Sequence, residues 1–75
     1  MPAKMTYEAI VETLGYAIGN EQMVRIVTTA GTEVQGFPTS LDTHLTAHEV
    51  YLLPAGDDDT EIGINLQAIE LVELA

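Results

Sequence analysis

Apolar residues recur along this chain at two different periods. From Tyr7 they fall at helical spacing, with Tyr7, Ile10, Val11, Leu14 and Ile18 at i, i+3, i+4, i+7 and i+11. That stripe predicts an amphipathic helix of about three turns. Thr6 supplies a capping hydroxyl, and Glu8 puts a negative charge in the first turn, where the helix dipole favours it. Gly15 weakens the pattern and is one place to stop. Gly19-Asn20 is the better stop, because both residues tolerate the left-handed conformation of a helix end.

After Gln22 the period changes to two. Val24, Ile26 and Thr28 alternate with Met23, Arg25 and Val27, which predicts a strand. Ala30-Gly31-Thr32 supplies a hairpin turn, and residues 33–41 read as a second strand. Within it Gly36 marks a place where the backbone bends or approaches a neighbour closely. Pro38 lacks an N–H and so requires a bend, a bulge or an unpaired position. Residues 42–47 read as a turn, and 48–53 as a third strand stopped by Pro54-Ala55-Gly56. Asp57-Asp58-Asp59 forms the next turn, followed by strands over 60–66 and 69–74.

One helix followed by five strands on short connections predicts a mainly β domain. The expected form is a strongly bent five-stranded antiparallel barrel with an N-terminal α-helix over one end. The domain spans 6–75, and residues 1–5 form a loose arm. So short a chain leaves its last strands with unpaired edges, which are hazardous unless covered. The simplest cover is a second copy bound head to tail, and such contacts close into rings.

Composition sharpens this. With 75 residues the chain makes one domain, and with no cysteine it has no disulfide to staple it. A hydrophobic fraction of 47% argues for a folded core despite the charge. No apolar run reaches the ~18 residues of a membrane span, and the N-terminus lacks the pattern of a signal peptide. The expectation is a soluble, cytoplasmic protein without membrane contact. Twelve acids face two bases, for a formal net charge of −10. Lys4 and Arg25 alone are available to neutralise phosphates. Attraction to a basic protein surface is easier to derive than attraction to nucleic acid.

Candidate chemistry is sparse. His44 and His48 are four apart with Asp42 and Glu49 nearby, a metal pair on a helix but not on a turn running into a strand. The three aspartates with Glu61 offer clustered oxygens, yet lack a full calcium-binding loop. No cysteine nucleophile, phosphate-cradling glycine loop or supported serine–histidine–acid set is present. The expectation is no enzyme, no cofactor and no metal.

The segment Ser40-Leu41-Asp42-Thr43-His44-Leu45-Thr46 resembles the first signature of the Sm-like (LSm) family, an acid, any residue, an aromatic or His, Met or Leu, then Asn. Val24-Arg25-Ile26-Val27 and Gly31-Thr32-Glu33-Val34-Gln35-Gly36 are similar to that family's first hairpin. Ile62-Gly63-Ile64-Asn65-Leu66-Gln67-Ala68-Ile69 stands where its second signature lies, and resembles endings in divergent Hfq relatives. The resemblance implies a ring of five to seven subunits closed through the last two strands. It implies a pocket for single-stranded RNA, with His44 stacking on a base. Thr46 stands in place of the family's base-reading asparagine, and Asn65 in place of its arginine. Gly36 and Asp42 are then structural, Asp42 orienting the turn through backbone hydrogen bonds. Two functions follow. One is a ribonucleoprotein ring component in RNA metabolism with a degenerate pocket. The other is an acidic protein-binding module that mimics nucleic acid, as the small, acidic, Sm-like Rho-binding antiterminators suggest, with a virus or mobile element as one source.

Overall fold

The computed structural model describes residues 4–44, 46–56 and 59–75. Leu45 of the first signature, Asp57 and Asp58 of the acidic turn, and residues 1–3 of the arm lie outside the described residues.

Helix α1 spans Tyr7–Gly19. It begins where the sequence places its cap: the Thr6 hydroxyl accepts a hydrogen bond from the Ala9 N–H at 3.1 Å. Gly15 does not end it. The C-terminus closes through Asn20 N–H to the Tyr16 carbonyl and Gln22 N–H to the Ala17 carbonyl. Neither Gly19 nor Asn20 takes the left-handed conformation; Glu21 does, at φ 52°. The buried stripe is Ile10, Leu14 and Ala17, rotated from the expected one, with Tyr7 at the exposed edge.

Five strands follow: β1 (Val24–Thr28), β2 (Glu33–His44), β3 (Ala47–Pro54), β4 (Ile62–Asn65) and β5 (Ile69–Leu74), with a 3-10 turn at Leu66–Ala68 before β5. All pairings are antiparallel and the order is β4-β3-β2-β1-β5. The chain is mainly β, as expected, but the sheet is not closed into a barrel. β4 and β5 are its two edges, and the 3-10 turn carries the chain from one edge to the other.

Pro38 sits where its missing N–H requires. The β2–β3 register slips between Pro38 and Ser40, leaving Thr39 as the extra residue of a bulge. Gly36 faces the β3 backbone so closely that an added Cβ would collide with the Leu53 carbonyl. The turn expected over 42–47 is mostly strand. Asp42 pairs with Glu49, Thr43 with His48 and His44 with Ala47, so β2 runs on to His44 and β3 starts at Ala47.

The core lies between α1 and the inner face of the sheet. Ile10, Leu14 and Ala17 of the helix meet Val24, Ile26, Val50, Leu52, Ile69 and Val72 of the strands, with Leu66 closing one end. No buried side chain among the described residues is polar. Each is apolar and gains from removal of its area from water. Among the described residues, no helix covers the opposite face of the sheet. Among the described residues, no helix is long and apolar enough to cross a membrane.

Candidate functional site

Period-two alternation decides which side chains reach the uncovered face. Residues directly opposite in an antiparallel pair point the same way. Val24 and Ile26 face the core, so Arg25 faces out, and its register partners Gln35 and Glu73 face out with it. Val50 and Leu52 face the core, so Glu49 and Tyr51 face out. The pairs Asp42–Glu49 and Glu49–Asn65 then form one row across β2, β3 and β4. This face therefore carries carboxylates from three strands: Glu33 and Asp42 of β2, Glu49 of β3 and Glu73 of β5.

Arg25 is the one cation in that field, and it is fully committed. Its Nε lies 2.6 Å from Glu33 Oε1, and its Nη1 pairs with Glu73 Oε1. The hydrogen bond and charge of Glu33, with the charge of Glu73, raise its pKa above the usual arginine value. The clamp joins β2, β1 and β5 and leaves one negative charge in excess.

The three residues expected to line an RNA pocket fall at one end of the sheet. His44 ends β2, Thr46 lies in the hairpin tip and Asn65 ends β4, all exposed. The polar atoms of His44 and Asn65 have local work. Asp42 Oδ1 accepts from the His44 N–H at 3.1 Å and lies 2.6 Å from His44 Nδ1. The hydrogen bond with the His44 side chain, then that with its backbone N–H, holds the Asp42 carboxyl below the usual aspartate range. The His44 ring still stands in solvent, 85% exposed. Asn65 Oδ1 accepts the Gln67 N–H at 2.8 Å and so caps the 3-10 turn. No cation replaces the arginine that the resemblance implies at this position.

His44 and His48 are not brought together. His48 points to the helix side of the sheet, where its Nδ1 is 3.0 Å from the Tyr7 hydroxyl and the two rings meet edge to face with centroids 5.8 Å apart. Among the described residues, no group of three or more His, Asp or Glu side chains is arranged to hold a metal. The Thr39 hydroxyl, freed by the bulge, lies 2.6 Å from Glu61 Oε2 and 3.0 Å from the Tyr51 carbonyl; its single proton serves one at a time.

Sequence reading missed the Arg25 clamp and the Tyr7–His48 contact. Glu73 is 48 residues from Arg25 and Tyr7 is 41 from His48, so only the sheet order brings each pair together. A usable signal existed for His48: it is in phase with Val50 and Leu52, which faces it toward the helix. Comparison with known proteins gives no matching family model, no matching curated protein and no matching solved structure.

Proposed function

We propose that this chain is an Sm-like β-module whose uncovered sheet face docks on a basic protein surface, competing there with nucleic acid. One observation carries the reading: Arg25, the only cation on that face, is neutralised by Glu33 and Glu73. Glu49, Asp42 and the clamp's own excess charge then meet a partner with no opposing cation. Phosphate binding depends on free lysine and arginine, and this face offers none. Charge complementarity accelerates encounter with a basic partner and suppresses wrong ones.

The Sm-like assignment rests on the signature residues and on the sheet order. Ring closure through the last two strands requires that those strands be the edges, and β4 and β5 are. A second reading, single-stranded RNA bound at the hairpin tip by a ring, has its own support. The Asp42–Glu49–Asn65 row brings His44 and Asn65 to one end of the sheet, and the His44 ring is free to stack.

Affinity capture at low ionic strength, with wild type beside a Glu49→Lys variant, tests the first reading. A basic, nucleic-acid-binding partner should be recovered by wild type, released by salt or by added RNA, and recovered poorly by the variant. Equal recovery by both proteins defeats it. In parallel, fluorescence anisotropy with short U-rich and A-rich RNAs should show no binding. Binding that disappears in His44→Ala establishes the second reading instead.

A further inference from the structure

Beside Lys4 and Met5 lies a cavity of about 280 Å3, on the helix side of the sheet and away from the acidic face. Its floor is apolar, formed by Ile10 of α1, Leu66 of the 3-10 turn and Ile69 of β5. Four polar residues line it: Lys4, Tyr7, His48 and Gln67. An apolar pocket with a few convergent polar groups is the usual form of a small-molecule site.

Lys4 is the second of the chain's two cations, and it makes no ion pair among the described residues. Among the described residues, the lysine or arginine that pairs with no carboxylate is therefore at this cavity. Tyr7 and His48 share a hydrogen bond of 3.0 Å. When the Tyr7 hydroxyl donates to Nδ1, the neutral imidazole carries its proton on Nε2 and offers a donor. Gln67 adds an amide. Tyr7 and His48 also meet at 82°, an edge-to-face pair. Such a pair suits a flat ring as its third member.

We propose that this cavity binds a small planar aromatic carboxylate, its ring over Ile10, Leu66 and Ile69 and its carboxylate toward Lys4. The volume accommodates one or two fused rings and excludes a folded peptide. In a chain of such negative charge, a site for an anion needs local positive charge and a dry floor, and this is where the two coincide. The proposal is independent of docking on the acidic face, because it uses none of that face's residues.

The test is a titration of the full chain with indole-3-acetate, read by amide chemical shifts. Indole-3-ethanol carries the same ring without charge, and acetate the charge without the ring. The acid should bind in the millimolar range and shift the amides of Tyr7, His48, Leu66 and Gln67. The alcohol should bind more weakly. Lys4→Gln should weaken the acid by about threefold, as expected for one exposed charge pair, and Lys4→Arg should restore it. Lys4 is exposed, so both variants keep the fold. The proposal is overturned if acetate gives the same shifts, if the alcohol binds as tightly as the acid, or if no shift appears up to the solubility limit.

Discussion

Three glycines occupy three different environments, and substituting each by alanine measures how far the β2–β3 contact controls stability. At Gly36 the new methyl would run into the Leu53 carbonyl, with the Leu53 carbonyl carbon and Leu52 Cδ1 each at 3.0 Å. Two of those atoms are backbone of β3, the strand's closest neighbour, and can move only by displacing the ladder. Overpacking a rigid site costs about 3 kcal/mol, and the stiffer unfolded chain returns about 1 kcal/mol. The net loss for Gly36→Ala is about 2 kcal/mol, a fall in Tm of about 8–16 °C for a domain of this size. At Gly63 the obstacles are Glu49 Oε2 at 2.8 Å and Tyr51 Cε1 at 3.2 Å, the far ends of side chains on the open face. They can swing away, so Gly63→Ala should change stability by less than about 0.5 kcal/mol. Gly15 is exposed on α1 with nothing within 4 Å. Alanine there should stabilise by about 0.5–1 kcal/mol through helix propensity. Circular-dichroism melts and urea titrations at one protein concentration give all three values, since self-association would otherwise shift Tm. A Gly36→Ala protein melting at or above wild type, or Gly63→Ala falling as far as Gly36→Ala, would refute the close-approach reading.

Three further outcomes are expected. Glu21 holds a left-handed φ of 52° just past the helix; Glu21→Gly should raise stability by about 1 kcal/mol in urea titration, and a loss would mean its side chain matters more than its backbone. Asp42 has a depressed pKa, so its bond to the His44 N–H persists above the ordinary aspartate pKa and is lost as pH falls through the lower folded value; the His44 amide shift should titrate with that lowered midpoint, and the step should vanish in Asp42→Asn. Met5 donates its N–H to the Glu70 carbonyl at 2.9 Å, and its sulfur accepts the Val72 N–H at 3.2 Å; removing residues 1–5 bares that stretch of the β5 edge and should raise the mass seen by light scattering, whereas an unchanged mass means the edge is protected by other means.

The local features were legible where a single residue type forces the backbone. Thr6 as a cap and Pro38 as a bulge follow from what one side chain can or cannot donate, and both stand where expected. The errors came where two local preferences compete and a distant partner decides. Asp42, Thr43 and His44 favour turns, yet β3 offers them partners, so β2 runs on to His44. Asn65 lies in β4, within the expected strand, and its side-chain oxygen also caps the 3-10 turn that follows, a role its strand position does not announce. The buried helix stripe includes Ala17 because α1 packs closely on the sheet, and a small residue suits that contact better than Ile18. Barrel closure was the least legible, since it depends on how a four-residue β4 meets the rest of the chain. For the candidate site, His44, Thr46 and Asn65 fall near one end of the sheet, and the state of the His44 and Asn65 polar atoms depends on Asp42 and Gln67, which the spacing alone does not show.

The deployment of the two cations bears on function more than the net charge does. A net charge of −10 could still coexist with a positive rim if Lys4 and Arg25 stood together at the hairpin tip. They do not: Arg25 is clamped in the middle of the sheet and Lys4 stands by the arm cavity. Any nucleic acid reaching His44 therefore meets Asp42, Glu49 and no compensating charge. Salt then distinguishes the readings by sign. Binding driven by phosphate contacts weakens as counterions accumulate, but here added salt would screen repulsion and strengthen whatever stacking His44 provides. Docking on a basic protein reverses that trend, losing affinity once the Debye length falls to about 8 Å near physiological ionic strength. The slope of affinity against salt is thus a direct readout that separates the two proposed partners.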